Sequence, residues 1–119
     1  MKSILIIEDN RQMRELMKSM LSDLADHIAE RSDGAEALSA YAAQRPDWVL
    51  MDIAMPTLDG LEATRQIKAA FPEAQIMIVT NYDDAGLRQA ASDAGAAAYV
   101  LKANLLDMRR LLSANNQTS

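Results

Sequence analysis

The sequence predicts an α/β fold: a doubly wound parallel sheet with helices on both faces. Two observations lead there. Four apolar runs, at residues 4–7, 48–51, 76–79 and 97–101, are short and continuous rather than alternating, the pattern of strands covered on both sides. The stretches between them carry apolar residues at helical spacing. Strand and helix therefore alternate, and right-handed crossovers join neighbouring parallel strands.

The run at 4–7, Ile-Leu-Ile-Ile, is too short to cross a bilayer or to form the core of a signal peptide. Its β-branched residues favour strand over buried helix, and Glu8 and Asp9 follow it directly. Asn10 is suited to cap a first helix, in which Met13, Met17, Met20, Leu21 and Leu24 share one face. A methionine stripe of this kind fills a core. Residues 27–30 alternate, as an edge strand does. His27, the only histidine, starts that strand and is read as structural.

Asp33 or Gly34 opens a second helix with Ala37, Leu38, Tyr41 and Ala42 on its inner face, and Pro46 follows it. The run at 48–51 begins on Trp48, a packing residue, and leads to Asp52. A third helix presents Leu61, Thr64, Ile67 and Phe71 and stops before Pro72; the next run leads to Thr80. A fourth presents Leu87, Ala90, Ala91 and Ala94 and ends at Gly95, a residue suited to a helix C-terminus. The last run leads to Lys102 and a fifth helix carrying Leu105, Met108, Leu111 and Leu112. Beyond it, residues 113–119 have no apolar side chain except Ala114. The organisation predicted is one domain over 1–112 and a polar tail, or the start of a linker, over 113–119.

Composition removes several functions. A chain of 119 residues that is 50% hydrophobic can bury a core as a single domain. Twelve basic against seventeen acidic residues leave a net charge of −5, which argues against nucleic-acid binding by this chain and against an anionic membrane as partner. The absence of cysteine excludes disulfides, thiolate metal sites and thiol nucleophiles. Cytoplasmic residence is the default expectation.

In an open α/β sheet a ligand binds outside the carboxyl ends of the strands. The residues following the four runs are Glu8-Asp9, Asp52, Thr80 and Lys102. Three carboxylates brought together repel one another unless a cation sits among them, and an oxygen-only set that keeps some water suits magnesium. Lys102 adds a positive charge and Thr80 a hydroxyl donor for a phosphoryl oxygen. A carboxylate nucleophile, a divalent metal, a lysine and a hydroxyl are the parts needed for phosphoryl transfer to an aspartate.

These motifs, Ile4-Leu5-Ile6-Ile7-Glu8-Asp9-Asn10, Asp52-Ile53-Ala54-Met55-Pro56 with Asp59-Gly60, Val79-Thr80 and Leu101-Lys102, resemble the receiver domain of two-component response regulators over about residues 2 to 112. The wording around Asp52 and Thr80 looks most like receivers of regulators with a helix-turn-helix output domain. The resemblance implies a flavodoxin-like five-stranded sheet in the order 2-1-3-4-5 with five helices, and a phosphoacceptor switch rather than an enzyme. By it, Asp52 accepts a phosphoryl group from a sensor histidine kinase or a small phosphodonor. Magnesium would be held by Asp9, by Glu8 through water, by Asp52 and by the carbonyl of Ala54. Thr80 and Tyr99 would move together as the switch that controls an output. The exposed faces of the last two helices, with Arg88, Gln89, Ser92, Asp107, Arg109 and Arg110, would serve a homodimer.

Two positions depart from the family pattern. Ala103 stands after Lys102 where many receivers have proline, often cis. A cis bond to a non-proline costs about 3–4 kcal/mol, so that loop is either trans or strained. Asn81 follows Thr80 where a smaller residue is common, and is expected to crowd a phosphoryl group and alter its hydrolysis. Two other functions compete with the receiver. A pseudo-receiver would keep the fold as an interaction module without taking phosphate, but it characteristically lacks one of the residues retained here. An aspartate-nucleophile phosphatase would need an acid at position 54, which is Ala54.

Overall fold

The computed structural model describes residues 2–116. Its strands are β1 (Ser3–Ile7), β2 (His27–Arg31), β3 (Trp48–Met51), β4 (Ile76–Thr80) and β5 (Ala98–Leu101), and its helices α1 (Arg11–Leu21), α2 (Ala37–Gln44), α3 (Gly60–Ala70), α4 (Ala85–Ala94) and α5 (Leu105–Asn116). All strand pairs are parallel, in the order β2-β1-β3-β4-β5. The predicted architecture and strand order are both present.

Alternation along each strand explains the two-sided winding. Leu5, Ile7, Val49, Met51, Ile76 and Ile78 face α2, α3 and α4, where Tyr41, Leu61, Ile67 and Ala91 complete one core. Ile4, Ile6, Leu50, Met77, Val79 and Val100 face α1 and α5, where Met17, Leu21, Met108 and Leu112 complete the other. Trp48 is buried in this second core at the amino end of β3, as expected of a packing residue. His27 is exposed at the start of β2.

Local chemistry sets the boundaries. The Asn10 side chain accepts from Met13 N–H at 2.9 Å and caps α1. Asp33 accepts from Ala35 N–H at 3.0 Å and opens a short 3-10 turn, Gly34–Glu36, ahead of α2. Gly95 ends α4 at φ 104, a left-handed conformation that costs glycine little. Two details differ from the sequence expectation. On α2 the buried alanine is Ala40 while Ala42 is exposed, because the sheet beneath is met by Ala37, Ala40 and Tyr41, a narrow stripe. At the other end, α5 continues through Asn116. Nothing in Ser113-Ala114-Asn115-Asn116 stops a helix already started, and each added residue contributes one more backbone hydrogen bond.

Candidate functional site

Two adjacent strands bring the acidic groups to one edge. Ile7 pairs with Met51, so the residues just past β1 and β3 emerge at the same height, and Asp52 N–H donates to the Ile7 carbonyl at 3.0 Å. Glu8, Asp9 and Asp52 offer carboxylate oxygens that all lie within 4.8 Å of one another. Glu8 and Asp52 are buried and Asp9 is exposed.

Lys102 reaches this cluster from beyond β5. Its Nζ stands 2.8 Å from Glu8 Oε1 and 3.3 Å from Asp52 Oδ2, and its side chain is only 9% exposed. Main-chain donors take the other oxygens: Asn10 N–H to Glu8 Oε2 at 3.1 Å, and Ile53 N–H to Asp52 Oδ1 at 2.8 Å. Burial pushes the Glu8 and Asp52 carboxyls above the ordinary carboxylate range, against the opposing pull of Lys102. For Lys102 burial acts downward, but the hydrogen bond to Glu8 and the charge of Asp52 outweigh it and hold its pKa above that of a free lysine. The ammonium therefore remains charged throughout the neutral range. An oxygen-only set with two buried carboxylates and one open to solvent is chemically suited to a hard divalent cation that keeps part of its water shell.

The neighbouring elements are held close. Gly60 N–H donates to the Ile53 carbonyl at 2.9 Å, and a Cβ at this glycine would stand 1.8 Å from the Asp52 carbonyl oxygen. Asp33, across the rim, accepts from Thr57 N–H at 3.0 Å and Leu58 N–H at 3.2 Å and so fixes the loop that follows Asp52. Ala54 is exposed in that loop.

Thr80 is buried at the end of β4, and Tyr99 is partly exposed on β5 beside Ile78. They are joined through the main chain of Tyr82, whose N–H reaches Thr80 Oγ1 at 3.5 Å and whose carbonyl accepts from the Tyr99 hydroxyl at 2.7 Å. The guanidinium of Arg88 lies 4.6 Å from the centre of the Tyr99 ring. No cis peptide bond occurs among the described residues, so Ala103 follows Lys102 in trans and the chain turns through a 3-10 segment into α5. Asn81 is exposed and, with Asn10, Gln12, Met13, Leu16 and Lys102, lines an open cavity of about 310 Å³. Of the helix-face residues, Arg109 is engaged within the chain, donating to Asp23 at 2.7 Å and to the Met20 carbonyl at 2.8 Å. Arg88, Gln89, Ser92 and Arg110 are exposed.

One residue near the site escaped the sequence reading. Arg14 donates through Nη1 to the carbonyl of Glu8 at 2.8 Å and to that of Asp9 at 3.3 Å. The one signal available was a first helical turn with arginines at 11 and 14 and no acid, against the usual preference at a helix N-terminus.

The profile of the response regulator receiver domain matches residues 4–115. This chain belongs to that family. The receiver is 39% identical over 114 residues to the response regulator MprA of Mycolicibacterium vanbaalenii, a match covering 92% of this chain and 49% of the relative. It spans about half the length of the curated relatives it matches. Among solved structures, the receiver resembles a two-component response regulator of the LuxR family from Aurantimonas sp. SI85-9A1, with TM-score 0.84 and 30% identity over 95% of this chain and 86% of that one. It also resembles a DNA-binding response regulator of the LuxR family from Staphylococcus aureus, with TM-score 0.85 and 28% identity over 98% of both. Among the described residues, no helix of the receiver is long and apolar enough to cross a membrane.

Proposed function

We propose that this receiver accepts a phosphoryl group on Asp52 in a magnesium-dependent reaction and passes the change to an output through Thr80 and Tyr99. The observation that carries the reading is the burial of Asp52 in a three-carboxylate cluster with the Lys102 ammonium 3.3 Å from Oδ2. An Asp52 oxygen attacks phosphorus while the bond to the donor breaks, the P–N bond of a phosphohistidine on a sensor histidine kinase or the P–O bond of a small acyl phosphate. Lys102 and the Thr80 hydroxyl each bind a phosphoryl oxygen. Asp9, Glu8 through water, Asp52 and the Ala54 carbonyl would hold magnesium, which when bound supplies neutralisation of charge on the transferring group. The domain is a switch that labels itself and not a turnover enzyme.

The output rests on the same geometry. Drawing the Thr80 hydroxyl toward a phosphoryl oxygen weakens its 3.5 Å contact with Tyr82 N–H, and the Tyr82 carbonyl is what holds the Tyr99 hydroxyl. A balance of a few kcal/mol between two arrangements is within reach of the new contacts. The exposed residues of α4 and α5, Arg88, Gln89, Ser92 and Arg110, are the surface we assign to a homodimer. The cell compartment is the cytoplasm, and the regulated output is transcription. Asn81, which shares a cavity with Lys102, is assigned to slowing hydrolysis of the acyl phosphate by crowding the attacking water.

Incubation with magnesium and acetyl phosphate is expected to give one hydroxylamine-labile acyl phosphate per chain by intact mass, and chelation of magnesium is expected to abolish it. A parent chain that stays unmodified across several donors would make the domain a pseudo-receiver.

Removing Lys102 tests the charge balance. Its contacts at 2.8 and 3.3 Å make it a paired cation, so Lys102→Ala is expected to lose about 2 kcal/mol, as hydrogen bonds to charged groups are lost. Much of the loss should return in mild acid, where Glu8 and Asp52 protonate. The variant should also gain less thermal stability than the parent from beryllofluoride with magnesium. Equal gains in melting temperature would take Lys102 out of the site.

A further inference from the structure

We infer that Arg14 is a positioning residue for the acidic pair, holding the main chain of Glu8 and Asp9 so that the Asp9 carboxylate stands in range of a metal ion. The inference rests on the function proposed above and adds a residue to it.

The Arg14 guanidinium is a three-way joint. Nη1 donates to the Glu8 carbonyl at 2.8 Å and the Asp9 carbonyl at 3.3 Å, while Nε donates to Glu30 Oε1 at 2.7 Å. The side chain is 16% exposed, so these bonds are largely sheltered. Glu30 is itself held in place by β2, where it lies opposite Ile6 in the sheet. The loop leaving β1 is thereby fastened to α1 and to β2 at once.

Helix stability does not explain an arginine here. The first turn of α1 holds Arg11 and Arg14 and no acid, and the positive end of a helix disfavours cations. What Arg14 does instead is bind two carbonyls outside the helix, both belonging to residues of the carboxylate cluster.

The two acids depend on it unequally. Glu8 is fixed at its side chain by Lys102 and Asn10 N–H, and its own N–H donates to the Arg31 carbonyl at 3.0 Å. Asp9 is exposed, and the direction of its side chain follows from the peptide planes on either side of it. Those are the planes whose carbonyls Arg14 holds. Because the guanidinium is paired with Glu30, it acts on the site through geometry more than through charge. A lysine offers charge without the planar fork and cannot reproduce the three bonds.

The test is manganese binding to the full chain, read by the electron paramagnetic resonance of free and bound Mn²⁺, with melting temperature recorded in parallel. Arg14→Met and Arg14→Lys are both expected to weaken Mn²⁺ binding about tenfold, the lower end of what losing a partner that orients a metal ligand costs. Lys18→Met removes the other cation from Glu30 and leaves the fork in place, so it is expected to keep the parent's affinity. Should Arg14→Met fail to fold, Arg14→Lys carries the test. Parent-like affinity in Arg14→Lys would mean that the fork does not matter, and equal weakening in Lys18→Met would mean general loosening; either result overturns the assignment. If the Arg14 variants bind like the parent while Asp9→Ala loses Mn²⁺, the inference fails and the proposed function stands. A parent chain that binds no Mn²⁺ overturns both.

Discussion

Asp52→Asn is expected to take no phosphoryl label and to melt a few degrees above the parent in the absence of magnesium. The first outcome follows because the amide is not a nucleophile at phosphorus. The second follows from the charges: Glu8, Asp9 and Asp52 share the edge with the single ammonium of Lys102. Burial already raises the carboxyls of Asp52 and Glu8, so keeping both ionised costs free energy in the folded state. Removing one charge relieves that cost. Relief of about 1 kcal/mol corresponds to a few degrees in a domain of this size.

The pH dependence has a definite sign. A carboxyl whose folded pKa lies above its unfolded value contributes stability that is fully present below the unfolded value and is lost as pH rises through the folded one. The parent should therefore become more stable as pH falls from neutral toward about 4, the ordinary carboxylate range. Below that range the trend reverses. Glu30 is held low chiefly by Lys18, Asp23 by Arg109 and Asp33 by the Ala35 N–H, and these groups lose their partners on protonation. Asp52→Asn should show a smaller acid-side gain, and added magnesium should stabilise the parent more than the variant. Label on Asp52→Asn equal to that on the parent would place the acceptor elsewhere, and a lower melting temperature at every pH would reverse the electrostatic account.

Gly60→Ala is expected to be the most damaging single methyl in the domain, lowering stability by about 3 kcal/mol, the upper end of the cost of forcing atoms into a packed interior. The added Cβ would stand 1.8 Å from the Asp52 carbonyl oxygen, 2.8 Å from its carbon and 2.9 Å from Met51 Cγ. Two of the three atoms are main chain of the residue that directly follows the central strand β3, so neither can swing aside. Relief requires α3 to lift from β3, which breaks the Gly60 N–H bond to the Ile53 carbonyl and shifts Asp52 itself. Labelling by acetyl phosphate should fall along with stability. Gly86→Ala is the control, since its Cβ meets only the Asp84 side chain, at 3.2 Å, and it should stay within about 1 kcal/mol of the parent. Chemical denaturation of the two variants separates the cases. Equal midpoints would mean that α3 has room the close approach denies.

The alternation of strand and helix could be read from the chain because each signal is local. Ile4 to Ile7 is apolar on both faces of its strand; Asn10 caps the helix three residues before the N–H it accepts; Gly95 suits a left-handed helix end. The edge that gathers Glu8, Asp9, Asp52, Thr80 and Lys102 was equally legible, since parallel strands all end on one side and the residue after each is known once the strand is. The same locality explains the errors. Which alanine of α2 faces inward depends on where the sheet meets a two-turn helix, so Ala40 and Ala42 exchanged roles. The end of α5, at Asn116, is not legible in the sequence, because a polar run does not by itself stop a helix that still has backbone hydrogen bonds to make.

What the tertiary structure alone decided is how residues far apart in sequence divide the space at that edge. The sequence determined that a lysine and three carboxylates would meet. The register of β1 against β3 brings Glu8 and Asp52 side by side, and packing sets the Lys102 ammonium 2.8 Å from the one and 3.3 Å from the other. The sequence contained a glycine at 60 and an arginine at 14, but a close approach between helix and strand and a fork reaching two carbonyls are distances across elements. No periodicity encodes such distances, because they arise only when the packed layers fix every element at once.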